Sequence, residues 1–143
     1  MAYTEFPYQC QFDGDGSLFC EPKITMILEY EGKCGYYTAL VDSGCYRTHV
    51  NASIAEWLGV NIGALHDTTT IGIGGDKSGK LGRMMMQVNG LGEKFEVPVV
   101  FLEELGVDIL LGQNDFFERF NVRFEKWKNV FYLEPAGEGE EGQ

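Results

Sequence analysis

Basic residues are scarce in this chain: 11 Lys and Arg stand against 22 Asp and Glu, a formal net charge of −11. Phosphate binding needs a basic face, so this balance argues against nucleic acid as a partner. No run approaches the roughly 18 apolar residues that cross a bilayer as a helix, so no membrane partner is expected. The opening residues, Met1-Ala2-Tyr3-Thr4-Glu5-Phe6-Pro7, carry neither a basic n-region nor an apolar h-region, and no signal peptide is visible. The cytoplasm is therefore the expected compartment, unless the chain is cut from a longer precursor. Histidine and cysteine are also few. His49 and His66 are not spaced to complete a zinc site, and Cys10, Cys20, Cys34 and Cys45 include no C-x-x-C pair. No metal and no other cofactor is expected. Cys10 and Cys20 flank a turn and could bridge, but free thiols are the expectation for all four in a reducing compartment.

What is present is enough for one globular domain: 143 residues, 44% of them hydrophobic. Residues 1–22 read as an N-terminal extension or extra hairpin around the polar turn Asp13-Gly14-Asp15-Gly16. A calcium-loop reading of that turn fails, because the sixth loop position is Leu18 and the twelfth is Ile24. Residues 134–143 read as a disordered acidic tail. Between them, residues 23–133 form the main domain. Strand composition over 23–30 and 36–41 flanks a turn at Glu31-Gly32-Lys33. Residues 51–59 predict a short helix with Asn51 as N-cap, a Ser53–Glu56 capping box, Gly59 after its end, and Ile54, Trp57 and Leu58 on its buried face. Strands follow at 67–71, 81–88, 95–101 and 107–111, then a helix at 113–119 and a closing hairpin at 122–133. Met84, Met85 and Met86 read equally as strand packing on alternating faces or as a flexible apolar cleft lining.

The chemistry centres on Ala39-Leu40-Val41-Asp42-Ser43-Gly44, an apolar strand running into one carboxylate. A carboxylate at the end of a buried strand is costly unless hydrogen-bonded or paired. Taken alone, Asp-Ser-Gly is more often an ordinary turn. Two further stretches change that weighting: Thr70-Ile71-Gly72-Ile73-Gly74-Gly75, and Asp108-Ile109-Leu110-Leu111-Gly112. In that order the three motifs resemble the retropepsin-like aspartic proteases, over about residues 23–133.

The resemblance implies an all-β fold, a closed retropepsin-like β-barrel of the acid-protease type with one or two short helices. It implies an aspartic endopeptidase acting on extended polypeptides. Asp42 would be the catalytic carboxylate. Ser43 would brace paired loops, and the Gly44 carbonyl would accept a substrate N–H. Cys45, Tyr46 and Arg47 would line the substrate site. Ile71, Gly72, Ile73, Gly74 and Gly75 would form a flap that closes over the peptide. The chain holds one such Asp motif, and Asp67-Thr68-Thr69 lacks both the glycine and the apolar strand. A second Asp must come from another copy, so a homodimer is expected. Departures from the family pattern lie at Cys45, where Ala is usual, and at Tyr46, Arg47 and Gln113, which replace an acidic–arginine pairing. They imply a different brace at the dimer interface. They also keep open an inactive module of the same fold that binds extended peptide segments.

Overall fold

The computed structural model describes residues 3–72 and 75–137. Strand β4 (Lys23–Tyr30) alternates cleanly, with Ile24, Met26 and Leu28 buried and the residues between them partly solvated. Glu31 and Gly32 both take positive φ, so a two-residue turn joins β4 to β5 (Lys33–Val41), with Tyr30 opposite Lys33. Strand β6 (Thr48–Asn51) leads into helix α1 (Ala52–Trp57), and β7 (His66–Gly72) pairs with the long β8 (Gly75–Val88). Asn89 and Gly90 then turn the chain into β9 (Leu91–Leu102), and β10 (Ile109–Leu111) follows.

Six of these strands close on themselves. They bond in the order β4-β5-β10-β6-β9-β8, and β8 returns to pair with β4. β7 lies outside this ring, attached to β8. The ring encloses Met26, Leu28, Ala39, Val50, Met84, Met86, Val97, Val99, Ile109 and Leu111, all essentially inaccessible. Each such large side chain stabilises the fold by roughly 2 kcal/mol relative to exposure. Met84 and Met86 therefore serve strand packing, with Met85 on the opposite face. Pro98 sits opposite Arg83, one residue before β9 begins to pair with β6 at Val99.

A second sheet joins the two ends of the described chain. Strand β1 (Thr4–Pro7) pairs with β12 (Val130–Pro135), which pairs with β11 (Phe120–Glu125). Phe6 stacks on Phe131 at 5.5 Å, and Phe116 of helix α2 (Phe116–Arg119) lies 5.1 Å from Phe120. Glu134 and Pro135, read above as tail, belong to β12.

Two expectations are corrected. Cys10 and Cys20 form a disulfide, because β2 (Gln9–Phe12) and β3 (Leu18–Glu21) pair in a register that sets these residues directly opposite each other. Cys34 and Cys45 are free thiols. Helix α1 is capped by Asn51, whose side chain accepts from the Ser53 N–H; Leu58, just past its end, is buried and Ile54 packs partly buried against the core as expected, but Ala52 and Ala55 are buried in place of Trp57. Trp57 is 64% exposed, and its carbonyl and ring both receive Lys33. With only six residues, the helix presents one narrow stripe to the barrel, and that stripe falls on the alanines.

Candidate active site

Asp42 leaves the end of β5 where three segments converge. Its own N–H donates to the Leu111 carbonyl at 3.0 Å. Its Oδ1 accepts from the Gly44 N–H at 2.9 Å, and its carbonyl accepts from the Cys45 N–H at 3.2 Å. These bonds shape a tight Asx-type turn that fixes one carboxylate oxygen in place. Asp42 is half-buried, while Ser43 and Gly44 are exposed, so the turn is presented at the surface of the monomer.

Beneath the turn lies the apolar motif. β10 inserts between β5 and β6, parallel to the first and antiparallel to the second, and brings Gly112 against the loop. A Cβ on Gly112 would collide with the Arg47 carbonyl oxygen and lie 2.8 Å from that of Cys45. Only glycine fits there, because both neighbours are backbone. The Gly112 N–H donates to the buried Thr48 hydroxyl at 3.2 Å. Asp108 anchors the entry to this segment: its carboxylate accepts from the Thr38 N–H and its carbonyl from the Asn51 N–H.

Within the chain, Gln113 ties the loop by its amide groups. The Gln113 N–H donates to the Cys45 carbonyl at 2.7 Å, and its side-chain amide donates to the Ser43 carbonyl at 2.5 Å. The Asn114 N–H donates to the Tyr46 carbonyl at 2.6 Å. Neutral amide bonds to the loop backbone thus stand where an ion pair was expected to be missing.

The remaining predicted site residues divide. Tyr46 is 69% exposed beside the turn, and Arg47 is half-buried, its guanidinium reaching the Thr68 hydroxyl at 3.5 Å. Cys45 turns inward: its Sγ donates to the Arg47 carbonyl at 3.1 Å and lies 3.5 Å from His49 Nδ1. Burial, with the Asp42 carboxylate nearby, pushes the Cys45 thiol up, so it stays protonated at neutral pH. Ile71, near the end of β7, is 84% exposed, and Gly75 opens β8 with positive φ. Gly72 is the last residue of β7; Ile73 and Gly74 lie outside the described residues.

Sequence reasoning passed over the contacts of three residues. Thr48 acts through a hydrogen bond to the Gly112 N–H that no motif announces, and Asp108 opens the third motif without its contacts to Thr38 and Asn51 being announced. His49 is 4% exposed, and its Nε2 lies 2.9 Å from the Thr70 hydroxyl. The signal that pointed toward it is the alternation of Thr68 and Thr70 on one face of β7, with Thr69 outward. Two clefts of about 380 and 490 Å³ occur elsewhere on the monomer, and neither is lined by the Asp42 turn.

No family model matches the chain, and no curated protein matches it by sequence. Among solved structures, the crystal structure of a retropepsin-like aspartic protease from Rickettsia conorii is similar. It has 18% sequence identity and a TM-score of 0.58, with 93% of this chain and 95% of that chain covered. The likeness is one of fold: the chain has the retropepsin-like acid-protease fold, an all-β closed barrel with two short helices.

Proposed function

We propose that the chain is an aspartic endopeptidase that works as a C2 homodimer on extended polypeptides. The observation that carries this reading is the Asp42 turn, a surface carboxylate held by its own backbone over an apolar segment in this fold. Carboxylate-catalysed peptide hydrolysis needs two such groups at close range. The chain carries one Asp-Ser-Gly, so the second comes from another copy through an isologous contact. Two carboxyls that close share one proton and titrate in two split steps.

In this mechanism the ionised Asp42 takes a proton from a water held between the pair. The water oxygen bonds to the scissile carbonyl carbon while the protonated Asp42 gives its proton to the carbonyl oxygen. Collapse of the resulting diol breaks the C–N bond, and a proton passes to the leaving amine. The hairpin of β7 and β8 serves as the flap. The exposed side chains of Ile71 and Tyr46 suit a substrate with apolar residues at the scissile bond.

The test is cleavage of a mixed peptide library by wild type and Asp42→Asn between about pH 4 and pH 7, with sedimentation to give the oligomeric state. The expected result is a dimer with an acidic optimum whose rate falls on the order of a thousandfold in the near-isosteric variant. A dimer that binds peptides without cutting them would establish the peptide-binding module instead. An inactive monomer would overturn the dimer reading.

A further inference from the structure

The contacts of His49 join two parts of the molecule that share no backbone ladder. β7 pairs with β8 alone among the described strands. Its inward side chains, Thr68 and Thr70, instead meet Arg47 and His49, which are likewise two residues apart. The result is a short side-chain ladder with two rungs. Both rungs spring from the stretch that continues directly from the Asp42 turn. His49 itself is fixed from behind by β10 and β9, where Leu110 and Val100 are its backbone partners. Its ring then bridges outward in two directions, from Nε2 to the Thr70 hydroxyl and from Nδ1 to the Cys45 thiol. A buried imidazole that finds a partner at each nitrogen has one preferred orientation.

We propose that His49 is a positioning residue that couples the β7 strand of the hairpin to the Asp42 turn, through Thr70 on one side and Cys45 on the other. The consequence for the proposed protease, on which this inference partly rests, is that the rest position of the hairpin and the shape of the turn are set together. Cys45 thereby has a use that the usual Ala at its position does not supply.

The experiment compares Cys45→Ala, Thr70→Val, the double variant and Thr70→Ser, read by amide hydrogen exchange over residues 42–47 and 66–72 and by kcat and KM. Thr70→Val should speed exchange several-fold not only within β7 but also at the Gly44 and Cys45 amides, and Thr70→Ser, which keeps the hydroxyl, should restore both. Each single variant should lower kcat/KM about fivefold, chiefly through KM, and the double variant should lose no more than the worse single, since both break one chain of contacts. Strictly additive losses, or exchange changes confined to β7, would overturn the coupling. Wild-type protein that cleaves no peptide would sink the endopeptidase reading, while the exchange comparison would still decide whether His49 couples the two segments.

Discussion

The turn that carries Asp42 and the hairpin beside it are held by different forces. The turn is fixed by backbone: Leu111, Gln113 and Asn114 each exchange a main-chain hydrogen bond with residues 42–46, and Gly112 packs against two of its carbonyls without an intervening side chain. Among the described residues, β7 meets the same stretch of chain through side chains, two threonines against an arginine and a histidine. Main-chain ladders and close backbone packing resist displacement as a unit, whereas single side-chain bonds can be broken one at a time. Under the proposed function, the contrast would hold the carboxylate still while the hairpin moves.

The strongest way to break that contrast is to attack the backbone contact. Gly112→Ala places a methyl group against the Arg47 and Cys45 carbonyls, and backbone on both sides leaves nothing that can swing away. It should cost about 3 kcal/mol or more in urea unfolding. The variant should also lose whatever activity the proposed endopeptidase shows, at temperatures where it remains folded. A Gly112→Ala protein within about 1 kcal/mol of wild type would show that the loop yields, and that its rigidity has been overstated.

The same contrast explains what could be read from the chain alone. The Asp42 turn, the β4–β5 hairpin and the apolar segment ending at Gly112 were legible because each is specified locally, by strand composition running into turn chemistry. Gln113 was legible as a departure, though not its bond to the Ser43 carbonyl. The His49–Thr70 contact was not legible, since it joins residues 21 apart on strands that do not pair. The Cys10–Cys20 bridge departs from the expectation set by compartment, because it depends on the β2–β3 register that places the two face to face. Of the three residues expected on the buried face of α1, Trp57 alone turns outward, while Leu58 is buried and Ile54 packs against the core. In so short a helix the buried stripe is narrow, and Ala52 and Ala55, with Leu58 just past the end, fill it and leave Trp57 outside.

A smaller effect should separate the buried rung from the rest of the hairpin. Burial is the chief cause that holds the His49 imidazole below the ordinary histidine range. Arg47, just before β6, contributes a weaker opposition between its backbone and its charge, Cys45 faces Nδ1, and the partner from β7 is the uncharged Thr70. As pH falls below about 6.5, an unfolded chain takes up a proton at this histidine that the folded chain refuses. Stability contributed by neutral His49 is therefore intact above that pH and is lost as pH falls toward the lowered folded value. Thermal unfolding across pH 7 to pH 5 should show this slope in the wild type and a shallower one in His49→Gln. Parallel slopes in the two proteins would mean that His49 does not carry the effect.

The smallest effect is expected where the structure shows one of its shortest ion pairs. Lys80 Nζ lies 2.6 Å from Asp67 Oδ1 across β7 and β8, at the outer edge of the same hairpin. Distance alone would make this the hairpin's best anchor. But Asp67 stands almost wholly in solvent, where water and salt screen the attraction and two long side chains must be ordered to make it. Lys80 holds the Asp67 carboxyl below the usual carboxylate range, so Lys80→Ala should let that carboxyl rise toward its ordinary value in an NMR titration. The same variant should move Tm by no more than about 1 °C. Those two results together would place the hairpin's attachment in its buried threonines. A Tm loss of several degrees would move it to the exposed edge and make surface charge a third force, beside backbone and buried side chains, holding this part of the molecule.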